Sequence, residues 1–186
     1  VAAHGVSQLQ QSSRQADWQW DNGAYRLSAT LDQRDLILTV TAREAAELEI
    51  LRQPASAMGK GLIWPLAEGH YIPAGNRLWQ DFLLEYGDVN STQDLSLPLW
   101  GVDHGTFTLI WLLTNPYNNR LQWQAEGQRL GLSVRHEFTA LDGRADRAMW
   151  VYLHALGAFN EAAFFARADA LEAGRYWIKR NCLPNQ

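Results

Sequence analysis

A single cysteine, Cys182, stands in a chain of 186 residues, so no disulfide can close within it and no cysteine metal cluster can form. The five histidines are widely spaced, with no H-x-H or H-x-x-x-H pair, and no metal site is expected. G-x-S-x-G, G-x-G-x-x-G and P-loop patterns are missing too, which leaves a serine nucleophile, a nucleotide or any other cofactor without a signature. Positive charge is scarce: 16 Lys and Arg stand against 20 Asp and Glu, a net charge of -4. Without a basic cluster to neutralise phosphates, a nucleic-acid partner is excluded. Long apolar runs are also lacking. The longest, Phe107 to Leu113, has strand length, far from the roughly 18 residues of a membrane span. No initiator Met precedes Val1-Ala2-Ala3-His4, so a processed or cut N-terminus is expected, and a removed leader cannot be judged.

Tryptophan is present in excess, at nine residues. An indole offers a wide flat face and one N–H donor. It can pack between sheets, or it can serve as a stacking platform for sugar rings. A chain of this length is usually one domain, large enough to bury roughly 70% of its unfolded surface.

Short alternating segments dominate the first 51 residues. Asp17 to Trp20, Tyr25 to Leu31, Leu36 to Thr41 and Glu47 to Leu51 each have period two, and Asn22-Gly23 and Asp32 to Asp35 supply turns. They predict a meander of four antiparallel strands behind a polar tail, residues 1–16. Leu78 to Tyr86 has helical spacing. Further strands are predicted at Leu95 to Trp100, Thr106 to Thr114, Leu121 to Glu126, Leu130 to Phe138 and Met149 to Leu156. Asn160 to Ala173 reads as a helix, capped by Asn160, stopped by Gly174 and striped with Ala163, Phe164, Arg167, Ala168 and Leu171. Many strands before one terminal helix indicate a mainly β fold, an antiparallel β-sandwich. Residues 17–158 would form the sandwich, and 159–186 a helix and connector. The helix lies either on the sandwich or toward a domain beyond this chain.

Two segments concentrate chemistry. In Gly61 to Pro73 (GLIWPLAEGHYIP), prolines and glycines exclude a helix and predict two extended pieces around a Glu68-Gly69 turn. Glu68 and His70, at i and i+2, would share one side of an extended segment, where a carboxylate beside an imidazole can move protons or hold a hydroxyl pair. No residue is assigned a catalytic role; Glu68 and His70 are the first candidates for one. Leu97 to Gly105 (LPLWGVDHG) places Trp100, Asp103 and His104 within five residues, the makings of a sugar subsite with an aromatic floor and charged groups for hydroxyls. Trp64, Glu68, His70, Trp100, Asp103 and His104 are therefore the carbohydrate-binding candidates. The bland readings are a capped turn, a packed histidine and a polar bend. Glu68 with Asp103 is the acidic pair whose separation would decide a glycosidase mechanism.

The order of these motifs resembles the β-sandwich domain that precedes a (β/α)8 barrel in large glycoside hydrolases similar to endo-α-N-acetylgalactosaminidases. The pieces that carry it are Pro65, Leu66, Glu68, Gly69, Ile72 and Pro73, then Leu97, Pro98, Trp100 and Gly101, then Ala170, Gly174, Arg175 and Tyr176. The resemblance spans residues 17 to 180. It implies a galactose-mutarotase-like supersandwich, a carbohydrate partner, and catalytic carboxylates on a barrel domain of the same polypeptide. The chain itself, without βα repeats, would then be a non-catalytic accessory domain whose loops wall a cleft. A free-standing carbohydrate-binding module using Trp100, and an aldose 1-epimerase-like enzyme using His70 or His104 with Glu68, are the alternatives. The compartment stays open, with a periplasmic or secreted setting favoured over the cytoplasm.

Overall fold

Two antiparallel sheets lie face to face. The computed structural model describes residues 5–32, 35–66, 69–113, 117–139 and 147–170. Its strands are β1 (Ser7–Gln11), β2 (Gln15–Trp20), β3 (Tyr25–Asp32), β4 (Asp35–Ala42), β5 (Ala46–Gln53), β6 (Gly61–Trp64), β7 (His70–Pro73), β8 (Asp88–Asn90), β9 (Leu99–Asp103), β10 (Thr108–Leu113), β11 (Asn119–Glu126), β12 (Arg129–Phe138) and β13 (Arg147–Leu156). The large sheet runs β1-β2-β3-β4-β13-β10-β9-β6-β7, and the small one β5-β12-β11-β8. This is the expected mainly β sandwich. Helix α1 (Arg77–Tyr86) follows β7, and residues 161–170 form α2.

Parity along each strand explains the core. In β10, Trp111 and Leu113 face the small sheet, while Ile110 and Leu112 face the other way. Both faces of this strand are covered, so Leu109 to Leu113 is an unbroken apolar run rather than an alternating one. Between the sheets lie Trp64, Trp100 and Trp111 from the large sheet and Trp123 from the small one. Trp100 and Trp111, opposite each other in the β9–β10 register, stack at 6.1 Å and 9°. Trp64 meets Trp123 edge-on at 4.9 Å. Each such ring contributes on the order of 2–3 kcal/mol by burial alone.

The terminal helix has a bed. Phe164 and Ala168 of α2 are buried against Ile63, Leu99, Ile110 and Leu112 on the outer face of the large sheet. Gly101 makes the approach possible: a Cβ there would sit 2.5 Å from the Phe164 ring. Asn160 caps the helix by accepting from the Ala163 amide at 2.9 Å, and Arg167 reaches Asp35 of β4 at 3.4 Å.

Two expectations change. Residues 7–11 do not belong to a tail; they pair with β2 as a fully exposed edge strand, with a bulge between Ser7 and Gln10 and a positive φ at Gln8. The predicted four-strand meander stops at β4, because β5 crosses to the small sheet and pairs with β12. Crossing moves the apolar face of β5 across the core without altering its period, so the alternation reads the same in either sheet.

Candidate functional site

The Gly61-to-Pro73 segment forms the antiparallel pair β6–β7 at the edge of the large sheet, with Trp64 opposite His70 and Ile63 opposite Tyr71. The turn between them passes Gly69 at φ +87°. Alternation then separates the two sides. Leu62, Trp64 and Ile72 join the inner core, whereas Ile63 belongs to the outer cluster under α2. His70, on the inner side at the rim, packs its ring 4.9 Å from Trp79 of α1.

Tyr71 takes the outer side. Its ring lies over Gly61, where an added methyl would collide with the phenol. Its hydroxyl donates to Asp103 Oδ2 at 2.9 Å, two strands away. Burial, then the bond to Asp103 and that residue's charge, raise the Tyr71 pKa, so the phenol stays a donor. The other carboxylate oxygen of Asp103 accepts from the Gly105 amide at 2.7 Å. Asp103 is therefore engaged on both oxygens and ties β7 to β9. His104 follows it but stacks on Phe107 at 4.5 Å, its Nε2 without a partner among the described residues.

The structure thus distributes the predicted candidates. Trp64 and Trp100 were expected as stacking floors. Both have no exposure, because inward strand positions bury them in the indole cluster, and Trp100 spends its N–H on Gln53 Oε1 at 3.1 Å. Neither can present a face to a sugar. Asp103 and His70 lie on opposite sides of the sheet and form no acid–base pair. Glu68 lies outside the described residues, as does its separation from Asp103. Among the described residues, no three His, Cys, Asp or Glu side chains gather as a metal-ligand set, and no helix is long and apolar enough to cross a membrane.

The open aromatic faces are elsewhere. Tyr71 and Phe165 are both 44% exposed, and they line one groove of about 380 Å³ between α2 and the β6–β7 edge. Phe159 stands beside Tyr71 at 5.3 Å, Pro65, Leu97 and His70 belong to the walls, and among the described residues Glu161 is the carboxylate of the lining. Sequence reasoning passed over Tyr71 in favour of its neighbours. The signal was parity, since in His70-Tyr71-Ile72 an inward Ile72 sends Tyr71 outward.

No protein-family model and no curated protein matches the chain. Solved structures do. The α-N-acetylgalactosaminidase NagBb from Bifidobacterium bifidum superposes with a TM-score of 0.62 at 12% identity, over 93% of this chain and 31% of that one. The matched part of NagBb shares this chain's antiparallel β-sandwich fold. NagBb in its GalNAc complex gives a TM-score of 0.59 at 15% identity, with the same coverage. A galactose mutarotase-like protein from Lactobacillus casei overlaps at a TM-score of 0.40, too slight a likeness to argue from. At such identities the NagBb likeness is one of fold, and the chain spans about a third of that protein's length.

Proposed function

We propose that this chain is a carbohydrate-interacting accessory domain of a glycoside hydrolase, non-catalytic by itself, with its loops lining a sugar-binding cleft and a catalytic barrel supplied by the same polypeptide. The observation that carries the reading is one of proportion. Nearly the whole chain matches a glycoside hydrolase, yet it accounts for 31% of that enzyme. The state of the candidate groups supports it. Asp103 has both oxygens engaged, by Tyr71 and Gly105, and His70 packs on Trp79 on the other side of the sheet, so the two make no acid–base pair.

The test compares this chain with the polypeptide encoded by its full native reading frame. The longer protein is expected to hydrolyse a glycoside, and this chain alone to leave glycosides intact and sugar anomerisation at its spontaneous rate. Accelerated anomerisation by this chain, abolished by Glu68→Gln, would establish the epimerase reading instead. A reading frame that ends near Gln186 would remove the barrel from the proposal. A free-standing carbohydrate-binding module would then be the reading, favoured by the exposed rings of Tyr71 and Phe165.

A further inference from the structure

We infer that the groove between α2 and the β6–β7 edge is a subsite for a pyranoside carrying an apolar substituent. The inference rests on the carbohydrate reading above and names where, and in what form, the sugar would be held. The groove's volume of about 380 Å³ falls within the range of roughly 300–1,000 Å³ typical of small-molecule sites. Its floor is aliphatic and aromatic: Ile63, Leu99, Phe164 and Ala168 bring no polar side-chain atom to it. A bare polyhydroxyl group placed there would lose its hydrogen bonds to water without replacement, at a cost of a few kcal/mol. An aryl or alkyl group has no such hydrogen bonds to lose.

The mouth has a different character. Tyr71 and Phe165 hold exposed ring surface at the groove, suited to the C–H face of a pyranose. Its polar side chains include two acceptors. Glu161, in the first turn of α2, has a carboxylate that only accepts. Ser96 donates its hydroxyl to the Pro65 carbonyl at 2.8 Å, which leaves its oxygen lone pairs to accept. A ligand that brings hydroxyl donors at one end and an apolar group at the other matches both halves. A purely apolar ligand would leave these acceptors unused, and an anionic one would meet the Glu161 charge.

The experiment titrates the chain with paired methyl and phenyl hexopyranosides of gluco, galacto and manno configuration, and with benzyl alcohol, by calorimetry or ligand-observed NMR. In at least one pair the phenyl glycoside should bind about ten-fold tighter than the methyl one, and also tighter than benzyl alcohol. Phe165→Ala should weaken that binding about ten-fold and leave the unfolding midpoint in place, because the ring is exposed on the helix surface. Should Phe165→Ala disturb folding, Glu161→Gln, a change at an exposed site, decides the matter by weakening the phenyl glycoside and not benzyl alcohol. Equal binding of methyl and phenyl partners, benzyl alcohol as good as the glycoside, or affinities unmoved by these variants would each overturn the subsite. If this chain binds no probe while the full-length polypeptide cleaves glycosides, the subsite falls and the accessory-domain reading stands. If neither happens, both fall.

Discussion

The phenol of Tyr71 crosses Gly61 to reach Asp103. Strand β6 can sit between the two partners only because it has no side chain at the crossing. Gly61→Ala is therefore expected to push the ring aside and break the bond, lowering stability by about 1–3 kcal/mol in a denaturant titration. In a Tyr71→Ala background the same change should cost markedly less. Equal costs in both backgrounds would show that the two residues are not coupled.

Gly101 plays the matching part under α2. Its missing Cβ leaves room for the Phe164 ring, which fills the outer cluster. Gly101→Leu should lift α2 from the sheet, so that amides of residues 163–168 exchange far faster than in the parent while the inner core keeps its protection. Uniform acceleration of exchange throughout the chain would count against this local account.

His136 provides a pH dependence. It is buried on β12, between β5 and β11, with Nδ1 2.8 Å from Asn119 Oδ1, and Asn119 in turn donates to Ser91 Oγ at 3.1 Å. Since Asn119 Oδ1 can only accept, Nδ1 carries the proton. Burial lowers the His136 pKa to about 4. The unfolded chain takes up a proton near pH 6.5 and the folded one does not. No penalty exists above about pH 6.5, and it grows to about 3 kcal/mol as pH falls to 4. The urea midpoint should fall between pH 7 and 4.5, and His136→Gln should fall less steeply. Identical slopes would assign the effect to other groups.

Two core tryptophans should respond differently to the same substitution. Trp100 donates its indole N–H to Gln53, itself buried, whereas the Trp123 N–H has no partner among the described residues. Trp100→Phe orphans the Gln53 oxygen and is expected to cost about 1–3 kcal/mol beyond the loss of ring area. Trp123→Phe should cost less, having no hydrogen bond to lose. Thermal or urea unfolding of the pair gives the order directly.

Much of the fold was legible because period two is a local property. Strands β2, β3, β4, β11, β12 and β13 follow from alternation or β-rich runs, and α2 from the Asn160 cap and the Phe164–Ala168 stripe. Strand β1 was not legible. Its sequence, Ser-Gln-Leu-Gln-Gln, offers no apolar face, and it is held by backbone pairing to β2. The candidate site was legible only in part. The Gly61-to-Pro73 segment does border the groove, but residue type drew attention to Trp64 and Trp100, which parity buries. Whether a ring meets solvent depends on which face of the sheet it leaves, and on what the second sheet covers.

The bulged β1 also bears on solubility. A nine-stranded sheet ends in two rows of backbone donors and acceptors that could recruit a strand from another molecule. At one end β1 is short, polar and kinked at Gln8; at the other β7 is four residues long and closes on Pro73, which has no N–H to offer. Both margins of this nine-stranded sheet are thus poor templates for strand addition.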